Sequence, residues 1–511
     1  MRPLSKALLA AVAAAAGGCA IGPEYRAAEQ PQPSQFATPL PEGVVPAEPV
    51  TEAWWTQFHD PVLDELIARA DLQNLDLRRA LLGVETYRAQ YTIDFSKMFP
   101  DITTGIGYAR RRVDANQLGV LNVDALRSGF DTWTWSMASA TWELDVWGSV
   151  RRQIEAGVSA LQASAEDYAA AQVSIRAEIA NAYVVIRQLQ AQRAAYRELA
   201  DGYAKLLAAV EAKVKHGMAS DVELGEIRAR RSAAEGDAVR YDAMVANQEA
   251  GIAILLAEPP TRVRAMLAEP KPVPTVDVPV AVGVPASLLQ RRPDVRAAER
   301  RAQSANARIG IAQSAYLPKF ILTGYFNVQT PSFDNLGDVS RNQTYVANPA
   351  IVWNFMSILT GATQAAEKQA KAAALDALLG YQQVSVRAVN EVDAAIAVLA
   401  SAGKVRSNYR SASVSVGKAY DLATRQFEAG TIDITRMVQY LETVIRARDG
   451  LAQAEGLVAQ NYVELYRSLG GGWDATPAPR AIEELRMFNP APTANDFLSH
   501  DGNAPQPPAG G

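Results

Sequence analysis

Residues 154–214 read IEAGVSALQASAEDYAAAQVSIRAEIANAYVVIRQLQAQRAAYRELADGYAKLLAAVEAKV, without a proline. Within this run Ile154, Val158, Leu161, Ala165, Tyr168, Gln172, Ile175, Ile179, Ala182, Ile186, Leu189, Arg193, Tyr196, Ala200, Tyr203, Leu207, Val210 and Val214 follow one another in alternating steps of four and three. Only Gln172 and Arg193 interrupt an otherwise apolar or alanine series, which is the seam of a coiled coil. The residues between are largely Ala, Arg, Glu and Gln, all good helix formers. At 1.5 Å per residue the helix would be roughly 95 Å long. That is too long for a compact globular domain.

Downstream, Gly217 supplies a residue that can take positive φ after a helix end, and Ser220-Asp221-Val222-Glu223 is a capping box that starts the next helix. A second proline-free span separates Pro349 from Pro477, with Gly430 as its turn and Asp433 as the cap of the return helix. Each half of the chain is therefore predicted to form a long antiparallel helical hairpin, with tips at 217–221 and 430–433.

Upstream of each hairpin the period changes from 3.5 to 2. Ile102, Thr104, Ile106 and Tyr108 alternate with Thr103, Gly105, Gly107 and Ala109; Phe320, Leu322, Gly324 and Phe326 alternate with Ile321, Thr323, Tyr325 and Asn327. Partner strands are expected at 132–146 and 343–355. Trp133, Trp135, Tyr345 and Trp353 stand there, as aromatics do at a membrane interface. Alternation alone also fits a small soluble β-sandwich.

The two halves match at an offset of 218: Asn74-Leu75-Asp76-Leu77-Arg78-Arg79-Ala80 aligns with Arg292-Pro293-Asp294-Val295-Arg296-Ala297-Ala298, and Phe99-Pro100 with Leu317-Pro318. At the tips the offset shortens to 213, where Gly217 meets Gly430. The expected plan is an internal duplication: a first repeat over 62–258, a Pro-rich, non-helical linker over 259–284, and a second repeat over 285–473. An extended arm without a core of its own precedes it at 19–61, and a low-complexity tail follows at 474–511.

At the N-terminus Arg2 and Lys6 precede the short apolar run Ala7–Ala16, too short to span a bilayer. This is the pattern of a signal peptide over 1–18. Ala16-Gly17-Gly18-Cys19 resembles a bacterial lipobox, in which Cys19 becomes the acylated first residue; Cys19 is also the only cysteine, so no intrachain disulfide exists. Ordinary secretion with an incidental cysteine is the plainer alternative.

Composition narrows the rest. With 511 residues, 49% hydrophobic and 21% charged, and a net charge of -5, the chain is neither disordered nor a basic nucleic-acid binder. Its mean hydropathy of -0.08 excludes a polytopic helical membrane protein. His59, His216 and His500 lie far apart, which argues against a Cys/His metal site, and no nucleophile motif or phosphate loop is present. No cofactor and no enzymatic activity are expected. Four strands per chain cannot close a transmembrane barrel, for which about eight is the minimum, and an open edge is forbidden in lipid. Strands that span a membrane here would have to share one barrel among several chains.

The run Val284-Pro285-Ala286-Ser287-Leu288-Leu289-Gln290-Arg291-Arg292-Pro293-Asp294-Val295-Arg296-Ala297-Ala298-Glu299 resembles the signature of the outer membrane factor family, the TolC and OprM type, and its NodT-like lipoprotein branch. Ala305-Asn306-Ala307-Arg308-Ile309-Gly310, Gly22-Pro23-Glu24-Tyr25 after the lipobox, Trp142-Glu143-Leu144-Asp145-Val146-Trp147-Gly148 and both tips carry the same resemblance, which covers roughly 19–473. It implies a mixed α and β membrane protein. In that family a homotrimer shares a 12-stranded β-barrel in the bacterial outer membrane and continues it as a periplasmic α-helical barrel. It also implies the exit duct of a tripartite efflux system. A periplasmic adaptor and an inner-membrane, RND-type pump would supply small molecules, and the duct would conduct them passively.

On that resemblance, Gly217, Ser220, Asp221, Gly430, Ile432 and Asp433 occupy the adaptor-contact tips, although Gly, Ser and Asp are also what a turn requires. Some such ducts carry two pore-facing aspartates after the second tip; here those positions hold Arg436 and Gln439. Tyr420, Arg425, Asp433 and Arg436 are the candidates for the periplasmic gate, with an i,i+3 pairing of Arg436 and Asp433 as the structural alternative. Arg291, Arg292 and Asp294 read as structural, as do Trp142 and Trp147 at the strand-to-helix junction. The competing expectations are a duct for a type I protein secretion system and a pore-less periplasmic coiled-coil protein.

Overall fold

The computed structural model describes residues 20–26, 35–41, 43–47, 53–111, 130–276, 280–283 and 291–473. The expected signal peptide, Cys19 and the tail at 474–511 lie outside these residues. In chain order the principal elements, apart from three short helical turns (Phe333–Asn335, Val339–Asn342 and Phe355–Leu359), are strand β1 (Val44–Val45), a 3-10 turn (Trp54–Phe58), helices α1 (Pro61–Gln73) and α2 (Leu75–Ser96), strands β2 (Asp101–Arg111) and β3 (Phe130–Leu144), helices α3 (Ser149–Lys215), α4 (Asp221–Leu256) and α5 (Pro260–Leu267), strand β4 (Val280–Ala281), helix α6 (Pro293–Ser314), strands β5 (Lys319–Thr330) and β6 (Gln343–Val352), and helices α7 (Ala362–Glu428) and α8 (Ile434–Ser468). The plan of two strands, a 67-residue helix and a return helix occurs twice.

The chain divides into two compact units. The first takes the described residues within 20–26, 84–165 and 296–384. Its centre is one antiparallel sheet in the order β2-β3-β5-β6, so the strands of the two halves meet as β3 beside β5. Registers pair Tyr108 with Trp133 and Ile106 with Trp135, then Ala138 with Phe326, Trp142 with Leu322, and Leu322 with Pro349. Since residues directly opposite share a face, one face carries Ile102, Ile106, Tyr108, Trp133, Trp135, Ala138, Ala140, Trp142, Phe320, Leu322, Phe326, Val328, Tyr345, Pro349 and Ile351. The other carries Thr103, Thr132, Thr134, Ser136, Ser139, Thr141, Thr323, Asn327, Gln329, Thr344 and Asn348, with Ile321, Tyr325, Val346 and Ala350 among them. Ser136 donates to Asn327 at 2.9 Å and Lys319 pairs with Glu143 at 3.0 Å on this polar face.

Met137 is the extra residue of a β-bulge. Both ladders of β3 skip it, passing from Ser136 to Ala138 on one side and from Ser136 to Ser139 across Thr104 on the other. At the far end of β3 the indole N–H of Trp142 donates to the Met98 carbonyl at 3.0 Å. Trp147 donates to Pro318 at 2.8 Å and Trp353 to Tyr316 at 3.1 Å. Each acceptor lies in the turn that leads into β2 or β5, so the expected packing role of Trp142 and Trp147 at the junction holds.

The second unit takes the described residues within 31–83, 166–295 and 385–473. Along α3 the seam is buried here at Tyr168, Gln172, Ile175, Ile179, Ile186, Leu189, Ala200, Tyr203, Leu207 and Val210. Ala165, in the first unit, is exposed, contrary to the pattern. The seam does not account for Arg176 and Arg187, which are also buried. Arg176 forks onto Asp71 at 2.9 and 2.8 Å and reaches the Gly472 carbonyl at 2.9 Å. Arg187 donates to Tyr183, to Gln190 and to the Glu269 carbonyl, while Tyr183 donates to Asp60.

Two expectations are corrected. The arm is not coreless up to residue 61: Trp54, Trp55 and Phe58 are buried and Trp54 stacks on Tyr466 at 5.0 Å, because three aromatics within five residues make a packing unit. The Pro-rich linker is not wholly non-helical, since Pro260 occupies the first position of α5, where its missing N–H has no partner to lose. Arg292 forks onto Asp294 and also reaches Glu391 and the Ser468 carbonyl, each at 2.8 Å, so it holds the start of α6 against α7 and the end of α8.

Candidate functional site

Both hairpin tips lie in the second unit and share one hydrophobic cluster. It contains Tyr203, Leu206, Leu207 and Val210 of α3, Ile227 and Ala234 of α4, Ala423 of α7, and Met437, Val438, Leu441, Val444 and Ile445 of α8. Ala219, Leu224, Ile432 and Ile434 from the turns pack against it. Lys213 lies over the ring of Phe427 at 5.6 Å, a further link between the two tips.

The turn chemistry read from the sequence is present. Gly217 has φ +71° and Gly430 φ +72°. The Met218 N–H closes back on the Lys213 carbonyl and the Thr431 N–H on that of Gln426, both at 2.8 Å, satisfying carbonyls that a helix end leaves unpaired. Ser220 accepts from the Glu223 N–H at 3.2 Å while Glu223 accepts from the Ser220 N–H at 3.0 Å, completing the capping box. Asp221 stands in the first turn of α4. Asp433 caps α8 by accepting from the Arg436 N–H at 2.8 Å. That contact replaces the expected ion pair: the backbone of Arg436, not its guanidinium, meets Asp433.

Among the gate candidates, Tyr420 is half-buried against the shared cluster and burial raises its phenol pKa. Arg425, Asp433 and Arg436 are exposed, so these four do not form a single contact group within the chain. The tip end instead holds polar ties that the sequence reading missed. Tyr203 donates to Glu442 at 2.7 Å, and Arg230 of α4 pairs with the same carboxylate. Burial, then the bond to Glu442, pushes Tyr203 up to about 12, so it remains a donor throughout the physiological range. Glu198 of α3 pairs with Arg448 of α8, and Arg410 of α7 with Glu455 of α8. These partners lie up to 250 positions apart and carry no local pattern. Met218 in the first turn and Val222 at the start of α4 are 69% and 79% exposed; two apolar residues beside a turn were a signal available in the sequence.

Among the described residues no group of His, Cys, Asp and Glu is arranged to hold a metal ion. No helix among them is long and apolar enough to cross a membrane.

The chain matches the outer membrane efflux protein family over residues 66–258 and 284–471. It is 28% identical to the toluene efflux pump outer membrane protein TtgF of Pseudomonas putida, covering 91% of this chain and 96% of that one. It is 25% identical to nodulation protein T of Rhizobium leguminosarum bv. trifolii, over 89% and 95% of the two chains. The solved outer-membrane channel OprN superimposes with a TM-score of 0.78 at 26% identity, over 89% of this chain and all of that one. With the family matched along both repeats and the fold shared with a solved channel, this chain belongs to the outer membrane efflux protein family.

Proposed function

We propose that the protein is the outer-membrane exit duct of a tripartite efflux system, conducting small molecules passively from a periplasmic adaptor and an RND-type inner-membrane pump to the exterior. The observation that carries this reading is the four-stranded sheet. One face is mainly apolar and exposes Ile106 at 62% and Tyr345 at 76%, the opposite face carries most of the hydroxyl and amide side chains, and β2 and β6 are the two edges. In lipid such a sheet must be closed by strands from other copies. Three copies supply 12 strands, a permitted barrel size, with the apolar face toward lipid and the polar face toward the lumen.

In this reading Gly217, Ser220, Asp221, Gly430, Ile432 and Asp433 shape the tips that meet the adaptor, and exposed Met218 and Val222 supply apolar contact there. Tyr420, Arg425, Asp433 and Arg436 are retained as gate candidates, with the Tyr203–Glu442–Arg230 tie holding the hairpins together beside them. Cys19 is the acylated residue that anchors the chain to the periplasmic side of the outer membrane. Efflux of toluene is named for the relative TtgF, and an aromatic cargo is one member of the small-molecule class proposed here.

The native mass of the detergent-extracted outer-membrane protein, followed by conductance in a planar bilayer, tests the reading. A conducting trimer supports it. A monomer, or a species that stays soluble without detergent, refutes it.

A further inference from the structure

Residues 20–25 do not trail from the fold. The Ile21 N–H donates to the Trp147 carbonyl at 3.0 Å. Arg152, only 3% exposed, turns its guanidinium onto this segment, donating to the Ile21 carbonyl at 3.1 Å, the Gly22 carbonyl at 3.3 Å and the Glu24 carboxylate at 2.7 Å. Glu155 takes the remaining charge at 2.7 Å. From α6, Asn306 donates to the Pro23 carbonyl at 2.9 Å.

Glycines make the fit close. Gly22 has φ +104°, and a Cβ there would sit 2.5 Å from the Gly310 Cα; a Cβ on Gly310 would sit 2.5 Å from the Ile21 carbonyl oxygen. A Cβ on Gly148 would meet Ala20 at 2.6 Å. All three contacts are with backbone or a short side chain that cannot swing away. The floor of this groove is fixed independently by Ser304 on the Ala156 carbonyl at 2.9 Å and Ser314 on Ser149 at 3.1 Å. A buried cation that spends three of its contacts on one short peptide is a costly arrangement unless that peptide must be held.

We infer that α3 and α6 form a built-in receptor for residues 20–25, and that Arg152 is the positioning residue that fixes where the acylated N-terminus enters the membrane. This rests on the lipoprotein reading of Cys19. Ala20, which directly follows the acylated residue in the lipoprotein reading, is held against Gly148, one residue from Trp147. The anchor is thereby set beside the strand-to-helix junction, where Trp147 and Trp353 are tied to the turn before β5. Acyl chains attached there enter the leaflet beside the strands, with no slack tether between lipid and fold.

A nitroxide on Arg26→Cys tests this in the full-length, membrane-inserted protein, since acylation consumes the Cys19 thiol. The parent spectrum is expected to be dominated by an immobilised component. Arg152→Met removes the guanidinium, and Gly310→Leu fills the groove from α6 against the Ile21 carbonyl and the Arg152 stem while leaving the guanidinium in the chain. Each is expected to lower the immobilised fraction at least threefold, with N-terminal acyl mass and helix content equal to the parent. A freely tumbling parent label, or unchanged spectra in both variants, overturns the inference. If Arg152→Met does not accumulate, Asn306→Ala and Gly310→Leu decide the same question. An N-terminus that carries no acyl mass removes the anchoring reading alone; the label mobility still decides whether the segment is docked.

Discussion

Tyr203 donates its phenolic hydrogen to Glu442 across 2.7 Å, joining α3 to α8 from positions 239 residues apart in sequence. Arg230 of α4 meets the same carboxylate, so one side chain ties the first hairpin to the second near the tips. Glu442→Leu leaves a buried tyrosine and a guanidinium without their shared acceptor. The expected cost is about 1–2 kcal/mol, the size of a charge-assisted hydrogen bond lost in a partly solvated site. The functional expectation is a duct that opens more readily, measured as a several-fold higher open probability in planar bilayers. Equal gating with reduced thermal stability would make the tie merely structural.

At the first tip, Met218→Glu and Val222→Glu place charge on side chains that are largely exposed. Trimer yield and melting temperature are expected to match the parent. Affinity for the adaptor, measured with purified components, is expected to fall at least tenfold, because each new carboxylate would have to be desolvated at the contact.

The two faces of the sheet make opposite predictions for the same substitution. Ile106→Arg on the apolar face should cost about 2–4 kcal/mol per chain if it sits near the bilayer midplane, and outer-membrane trimers should be largely lost. Ser139→Arg on the polar face should insert normally and change conductance. Equal tolerance of both would sink the assignment of faces.

Asp60 gives the pH expectation. Burial alone would raise its pKa, but the Tyr183 hydroxyl, the Val62 N–H and Lys271 together hold it below the usual carboxylate range. A group whose folded pKa is depressed contributes stability that is complete above the unfolded value and fades as pH falls through the folded one. Asp60→Asn should therefore destabilise the protein at pH 7 by about 1–3 kcal/mol. It should also flatten the decline of melting temperature between about pH 5 and the acid limit. A parallel decline in both proteins would remove Asp60 as the responsible group.

The long seam, the turns and the strand pairs were legible because each repeats a local period. The steps of four and three from Tyr168 to Val210 needed no partner to be read, and Ser220 with Glu223 is a cap wherever it occurs. What escaped was whatever depends on a distant segment. Arg176 and Arg187 look like solvated helix positions until Asp71 and the Glu269 carbonyl are brought to them. Trp54, Trp55 and Phe58 lie in a stretch otherwise rich in Pro, Gln and Glu, and only Tyr466, more than 400 positions away, shows that they are core. Arg436 kept its place beside Asp433 but through its backbone, a distinction that spacing does not encode.

The bulge at Met137 sets a rule of parity for β3. Trp133 and Trp135 are odd-numbered, Ala138, Ala140 and Trp142 even-numbered, and all five share a face because Met137 absorbs the odd step. Loss of Met137 alone would leave every other side chain of the strand on its present face. Loss of Ser136 or Ala138 would be absorbed in the same way, by Met137 taking the vacated place, whereas loss of a single residue farther along would turn part of the strand inside out. Heredity can therefore shorten this strand by one codon at the bulge or beside it, and elsewhere only by two.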